Sequence, residues 1–486
     1  MKNTTQILPG FHLSTLRKKP QTKAQKLAQA LDKIKKHSIN QLGEYFNQFI
    51  PKEYLKNKQK GNFSRLRLFS KSNTFWTFFS QVIDVDGGCK EALKKLQSHM
   101  VGQGKKVSSN STSAYCQART NMDFESLDKI FKHTTRLTKE TEKWKLHRVI
   151  VVDGTGLSMP DTPKNQELYP QQKTQKVGCG FPSARALACF CLFTGALISY
   201  RLGNKKSHEL LLLRDQLETF NVGDILLADK MFCTFFDVYQ LKKLEVDSVI
   251  TLAKRKPKTT KTALKVLAKD DLLVQWDKPV YTKRTSYSEC EYNELPKKLT
   301  LRQIKVTVKN QGFRVKKFYI ITTLLDAEKY TTKEIADLYY QRWDVELFFR
   351  DIKTTMGMDI LRCKTPAMVH KEIIMHFIAY NCIRNLMLKA AKQAKVKPRL
   401  ISFKATLQTL RSWQTIISVS ENSQQEILRL RQTLIDAIAQ CVLFQQLGRS
   451  EPRCAKRRPK PYKFMTQSRA ALRELLRQGG NNANVA

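Results

Sequence analysis

The sequence predicts an α/β fold: a core of strands and helices, interrupted by a β-rich insertion and flanked by helical N- and C-terminal regions. Three observations predict it. First, the run Arg148-Val149-Ile150-Val151-Val152 stops at Asp153-Gly154 and the run Asp224-Ile225-Leu226-Leu227-Ala228 stops at Asp229, the pattern of short buried central strands. Second, two more strand-like runs, 186–193 and 196–202, lie between them, joined by a tight turn at Thr194-Gly195. Third, helical periodicity returns late, over residues 332–356, after a stretch of alternating strand patterns.

Taken in order, residues 1–140 read as helical and basic. Leu27, Leu31 and Ile34 recur at helical spacing over 23–39, and aromatics mix with lysines over 75–96. A first core part follows over 141–253: strand, two hairpin strands, a helical run over 210–220 with Ser207 as candidate N-cap, strand, helix over 232–244, and a strand over 246–252. Residues 254–328 open on a basic, proline-containing linker. They hold strand candidates at 299–308 and 318–325 with a turn at Asn310-Gln311-Gly312, so they read as the β-rich insertion. The second core part, 329–367, contains the long helix 332–356, which starts near Thr332 and Glu334. Residues 368–450 read as helical, and 451–486 as a basic tail that orders on a partner.

Composition narrows the function. The chain has 486 residues, with 86 Lys+Arg against 42 Asp+Glu, a formal charge of +44. Self-repulsion on that scale opposes compaction, and a polyanion relieves it. Nucleic acid therefore leads as partner, because each neutralised phosphate releases counterions. A membrane fits poorly. The longest apolar run, 186–200, falls short of the ~20 residues of a spanning helix, and residues 1–20 lack a signal-like apolar core. The eleven cysteines form no C-x-x-C pair, which points to free thiols in a reducing cytoplasm rather than zinc or disulfides.

Asp153 and Asp229 each follow a buried strand, so their carboxylates emerge together if the strands are neighbours. Hard oxygen donors of this kind suit Mg²⁺, with Mn²⁺ able to substitute, and phosphate oxygens complete the octahedron. A turn residue after a strand explains either Asp alone just as readily. The helix 332–356 adds to the pattern. At about 100° per residue, Ile335, Leu338, Val345, Phe349, Ile352 and Met356 share a core face. Tyr339, Arg342, Glu346 and Lys353 form a stripe beside it, and Asp344 and Asp351 point away, into solvent. Glu346 can complete a three-carboxylate metal site, while Arg342 and Lys353 can grip phosphates. An ordinary i,i+4 pair of Arg342 with Glu346 is the plainer reading of that pair.

The element order matches that of the ribonuclease H-like fold. The spacing Tyr339-x2-Arg342-x3-Glu346-x6-Lys353 resembles the signature of the insertion-sequence-four family of DDE transposases. The block from Leu338 to Glu346, with its Arg-Trp pair, is similar to that family, as are Asp153 to Thr162, Asn165 to Pro182 and Leu227 to Phe232. Lys230 stands where an Arg is commoner, with the charge kept. The likeness covers about residues 145–365.

The resemblance implies cut-and-paste transposition with a hairpin intermediate, catalysed by Asp153, Asp229 and Glu346 as the metal-holding triad of a two-cation phosphoryl transfer. Tyr339, Arg342 and Lys353 would hold the 5′-phosphate side of the cut, with Lys230 also at the DNA. The implied partners are double-stranded DNA (terminal inverted repeats and target) and a second copy of the chain in a synaptic homodimer. A bacterial or archaeal nucleoid is the implied location. An aromatic in the insertion would receive a flipped base. Trp276 is the only Trp there, and packing on the core is its other reading. Rival functions are a ribonuclease H-like nuclease without strand transfer, an inactive transposase-derived DNA-binding protein, and a basic RNA-binding scaffold.

Overall fold

The computed structural model describes residues 46, 49–57, 59–64, 67–102, 106, 109–136, 143–204, 207–252, 256–282, 287–308, 316–419, 424–443 and 464–478. The helix expected over 23–39, the turn at 310–312 and the basic run at 455–463 lie outside the described residues. Two compact units partition the chain: one takes residues up to Gln81, Asp86–Met122 and Ser412–Leu430, and the other takes the rest.

The smaller unit is helical. Its helices include α1 (Lys71–Ile83), α2 (Cys89–Gly102) and α3 (Ser113–Asn121). Phe75, Trp76 and Phe79 of α1 pack with Phe46, all at most 1% exposed, and the Phe46 and Trp76 rings stack at 6.2 Å. The aromatics read from 75–96 are therefore the core of this unit. Tyr115 of α3 donates to Gln81 Oε1 at 2.7 Å, a buried polar tie inside it.

The larger unit is built on one nine-stranded sheet in the order β3-β2-β1-β4-β5-β9-β8-β7-β6. The strands are β1 (Val149–Ser158), β2 (Ser183–Cys191), β3 (Leu197–Gly203), β4 (Ile225–Ala228), β5 (Asp247–Thr251), β6 (Lys265–Ala268), β7 (Asp271–Asp277), β8 (Lys298–Val308) and β9 (Lys316–Thr322). β1, β4 and β5 run parallel, and every other pairing is antiparallel. The strand, hairpin, helix, strand, helix, strand sequence expected over 141–253 is thus present.

Alternation assigns the two faces. Ile150, Val152, Leu226, Ala228 and Ile250 point into one apolar core with Leu210, Leu213, Phe235 and Phe236. The latter four come from α6 (Glu209–Arg214) and α7 (Phe235–Lys243), the helices covering that face. Residues Val151, Asp153, Leu227, Asp229 and Thr251 accordingly take the opposite face. There α10 (Asp344–Arg350) packs on β1, with Phe349 edge-on to Phe190 of β2 at 5.2 Å. Between these elements the chain also forms α4 (Phe124–Arg136), α5 (Pro163–Leu168), α8 (Glu289–Asn293) and α9 (Thr332–Tyr340); α11 (Pro366–Ala394), α12 (Phe403–Val419), α13 (Gln424–Ala439) and α14 (Arg469–Arg477) follow.

Three local expectations are corrected. The helical run expected over 210–220 is shorter, and its N-cap is His208, whose ring nitrogen accepts from Leu210 N, rather than Ser207. The helix expected over 332–356 starts one residue earlier in its capping. Thr331 is the N-cap, with Glu334 closing a reciprocal box. That helix also changes type along its length: α9, a 3₁₀ turn at Gln341–Trp343, α10, then one π turn at Asp351–Thr355. A 3₁₀ residue advances about 120° against about 100° in an α-helix, so three of them turn everything downstream by about 60°.

A candidate metal-dependent active site on the central strands

Asp153 and Asp229 meet because of strand register. Val151 of β1 faces Leu227 of β4, so two residues further along each strand the two aspartates stand side by side on the same face. β1 itself continues through Asp153 to Ser158, paired there with β2 and, at Ser158, by one parallel bridge to Ile360, while its pairing with β4 ends at Val151. Asp153 is therefore a mid-strand residue at an opening in the sheet, not the strand's last residue.

Burial pushes the Asp153 carboxyl up to about 6. The Gly154 amide, which donates to Oδ1 at 2.8 Å, and the Arg342 guanidinium pull it down, while the charges of Asp229 and Glu209 raise it. Asp229 Oδ1 accepts from Met231 N at 2.8 Å, capping a short 3₁₀ turn. The turn reading of this residue thus holds, and it leaves the second oxygen uncommitted.

The helical segment brings its polar stripe to the same face. Tyr339 is 3% exposed, and its hydroxyl lies 3.0 Å from Thr251 Oγ1 on β5; burial raises its pKa. Arg342 is half-buried over the rings of Tyr339 and Trp343, and its Nε is buried with no hydrogen-bond partner. Lys353, in the π turn, donates to Thr155 Oγ1 at 3.1 Å, two residues beyond Asp153. No ion pair joins Arg342 to Glu346. The i,i+4 reading of these two side chains is therefore not the arrangement adopted.

Glu346 is exposed on α10, and Lys230 is exposed beside Asp229. Among the described residues, no three His, Cys, Asp or Glu side chains are close enough to hold a metal ion, so Asp153, Asp229 and Glu346 are not closed around one point. The Asp153–Asp229 pair alone fits a hard divalent cation. Such ions keep several waters and are held by one or two carboxylates plus substrate phosphate.

Two further expectations are corrected. Asp344 and Asp351 do not point into solvent: Asp351 is 8% exposed and pairs with Arg384 of α11 at 2.7 Å, and Asp344 pairs with Arg399 at 3.2 Å. Trp276 is 3% exposed in the core beneath β7, so its ring is a packing side chain and offers no free face to a base. The exposed ring near Arg342 is Trp343, 45% exposed and stacked on Tyr340. Sequence reasoning missed it as a candidate in its own right. It also missed Thr155, whose signal was its place two residues after Asp153 on the same strand, Thr251, at the end of the third parallel strand, and Glu209.

Residues 144–382 match the family model described as a transposase DDE domain. The chain is 24% identical over 451 residues, 90% of its length and 97% of the relative's, to a protein of Escherichia coli K12, the transposase InsG for insertion sequence element IS4. This chain belongs with the DDE transposases of insertion sequences. A shorter match, 38% over 84 residues (17% of this chain, 22% of the relative), is to a probable transposase for insertion sequence element IS5377 of Geobacillus stearothermophilus. Among solved structures, a piggyBac transposase synaptic complex with hairpin DNA aligns at a TM-score of 0.43 and 11% identity, covering 86% of this chain and 87% of that one.

Transposases of this family are DNA phosphoryl-transfer enzymes that generally depend on divalent metal. DNA as the partner agrees with the +44 charge. Among the described residues no helix is long and apolar enough to cross a membrane, and the described cysteines are free.

Proposed function

We propose that this transposase excises and inserts its element by cut-and-paste, with a hairpin on the element's end, and that Asp153, Asp229 and Glu346 are its catalytic carboxylates. The observation that carries this reading is the Asp153–Asp229 pair. Two acids on adjacent parallel strands sit beside a buried guanidinium nitrogen that lacks a partner. The strand order β3-β2-β1-β4-β5, with β2 antiparallel, supports a ribonuclease H-like core over 141–253 and 329–367, with residues 254–328 inserted between the parts.

In this reading Asp153 and Asp229 hold Mg²⁺, or Mn²⁺ in its place, and Glu346 joins them from α10 when DNA is bound. Bound as a pair, the cations would activate the attacking water or 3′-hydroxyl and stabilise the leaving oxygen. Arg342 meets a phosphate through its free Nε, a charge-assisted contact that also removes a buried unsatisfied donor. Lys353 and Lys230 flank the same strand as phosphate contacts. Tyr339 fixes the Arg342 side of the site through its hydroxyl contact to Thr251. Trp343 is the ring that a displaced base can reach. The helical region 1–140 and the basic tail contact the terminal inverted repeats, and a homodimer pairs the two ends.

The test uses the purified chain with Mg²⁺ or Mn²⁺ and DNA carrying its element's ends. Cleavage and joining are expected in the wild type, and Glu346→Gln is expected to lose both while still binding the ends. Full cleavage by Glu346→Gln would remove Glu346 from the site. Cleavage without joining would favour a simple nuclease. Trp343→Ala is expected to lower hairpin yield while Trp276→Phe leaves it unchanged, and the reverse result would return the base-stacking role to Trp276.

A further inference from the structure

The sheet ends at β3, which pairs with β2 alone. Leu192 N donates to Val149 O and Cys191 N donates to Ala196 O, so the backbone groups along β2 turn alternately to β1 and to β3. In the β2–β3 register, Leu187 opposite Arg201 and Cys189 opposite Ser199 are then the hydrogen-bonded pairs. Tyr200 and Leu202 therefore turn their amides and carbonyls outward. At the start of this edge Asn381 of α11 occupies the place of a neighbouring strand, accepting from Leu197 N and donating to Leu197 O, both at 2.9 Å. Further on, Tyr200 O accepts from the guanidinium of Arg201 at 3.1 Å. Tyr200 N, Leu202 N and Leu202 O have no partner beyond the edge among the described residues.

That edge opens into a groove of about 610 Å³ between α4 and the turn at Leu217–Thr219. Phe124, Asp128, Phe131, Lys132 and Thr135 recur at helical spacing and give the groove one wall. An open sheet edge of this kind accepts an extended peptide as an added strand, whose side chains alternate between the two faces. Toward α4 the lining is apolar: Tyr200 lies edge-on to Phe131 at 5.3 Å and is 8% exposed, with a hydroxyl that has no hydrogen-bond partner among the described residues. On the other face Arg201 approaches Glu218 at 3.3 Å, and Arg148 donates to Thr219 O. Four cations (Lys132, Arg136, Arg148 and Arg201) line the groove against two acids, Asp128 and Glu218, so the charge favours an acidic occupant.

We propose that the outer edge of β3 docks an extended segment of a partner protein in which apolar and acidic residues alternate, adding it to the sheet as a strand. Its apolar side chains meet Phe131 and Tyr200, and its carboxylates meet Arg201 and Arg148. While the groove is empty, Arg201 covers the edge at Tyr200 O, as charged side chains blunt exposed edges elsewhere. The inference is independent of the catalytic reading, since it uses none of Asp153, Asp229 or Glu346.

The probe is a fluorescein-labelled octapeptide of alternating valine and glutamate, titrated with the full-length protein and followed by anisotropy. Hydrogen–deuterium exchange over residues 197–203 is read alongside. A chain of charge +44 attracts any anionic peptide, so two controls carry the same charge. One has its valines and glutamates in pairs, and the other is N-methylated along its backbone. Loss of the backbone bonds to Tyr200 and Leu202 lowers affinity by about tenfold or more, so the alternating peptide is expected to bind tighter than both controls by that factor. It is also expected to slow exchange over 197–203.

Thr135→Trp fills the groove from α4 and is expected to weaken the alternating peptide about tenfold at an unchanged thermal midpoint. Should that variant fold poorly, Arg201→Glu is expected to weaken it similarly by repulsion. Equal binding of all three peptides with unchanged exchange over 197–203 overturns strand addition. Slowed exchange there with a short DNA duplex and not with the peptide, lost in Thr135→Trp, makes the groove a nucleic-acid contact and also overturns the proposal.

Discussion

The two sides of the segment from α9 to the π turn carry the same kinds of side chain and treat them in opposite ways. On the side against α11 and the turn after it, both aspartates are paired: Asp351 meets Arg384, whose Nε also donates to Tyr380 Oη at 2.9 Å, and Asp344 meets Arg399. On the side facing the central strands, Arg342 keeps a buried Nε without a partner among the described residues, and Glu346 nearby along the segment is exposed. Buried polar groups are ordinarily satisfied, and exceptions call for an explanation. In the proposed reading the satisfied side anchors the segment and the unsatisfied side awaits phosphate and metal. Stability and catalysis should therefore separate cleanly between residues only a turn apart.

The separation can be broken at several points. The largest effect is expected for Asp351→Ala, which strands Arg384 in the interior. Removing one partner of a buried pair costs about 3–5 kcal/mol, so a marked fall in the thermal midpoint is expected; an unchanged midpoint would mean the rear face is not the anchor.

Arg342→Gln should do the reverse. Losing a hydrogen bond to a charged phosphate, about 1.5–3 kcal/mol, should slow cleavage on the order of 10–100-fold with the midpoint nearly unmoved, and a large drop in stability would blur the comparison. Tyr339→Phe removes the hydroxyl's contacts with Thr251 and Arg342, about 0.5–1.5 kcal/mol each, and is expected to act on both readouts more weakly than Arg342→Gln does on cleavage.

The smallest effect concerns pH. The Lys145 contact and the Thr331 capping box hold the Glu334 carboxyl down at about 2, against 4.5 for the free group. A depressed acid stabilises the fold above its unfolded value, and that contribution fades as pH falls from about 4.5 through about 2. Glu334→Gln should flatten this acid limb in a melting-temperature profile, and an unaltered limb would show that the cap does not couple to stability.

Much of this was legible in the sequence, and the rest was hidden for identifiable reasons. Apolar runs ending in Asp153 and Asp229 revealed both strands, because a buried parallel strand must be apolar on both faces. The core face of the catalytic segment was also readable: Ile335, Leu338, Val345, Phe349, Ile352 and Met356 are all buried. A helical wheel assumes one helix type and one neighbour, so it missed both the 3₁₀ turn before Glu346 and the second layer, α11 and the turn after it, whose arginines pair with Asp351 and Asp344. Trp276 carried a readable warning. It alternates with Gln275 in step with Leu272 and Val274, both buried, and so belongs to the inward register of β7. Glu209 offered no local signal at all, since only the closeness of α6 to Gly154 gives it meaning.

The place of β9 has a consequence for anyone trimming this protein. β9 lies near the end of the segment 254–328 and is stitched by hydrogen bonds to β5, the last of the parallel strands. A truncated version lacking 254–328 would leave Val249, Ile250 and Thr251 with bare amides and carbonyls along an apolar rim, an open template for another chain to join. The segment 254–328 therefore serves as a hem to the parallel strands, and deletion variants should be recovered as aggregates rather than as a smaller working enzyme.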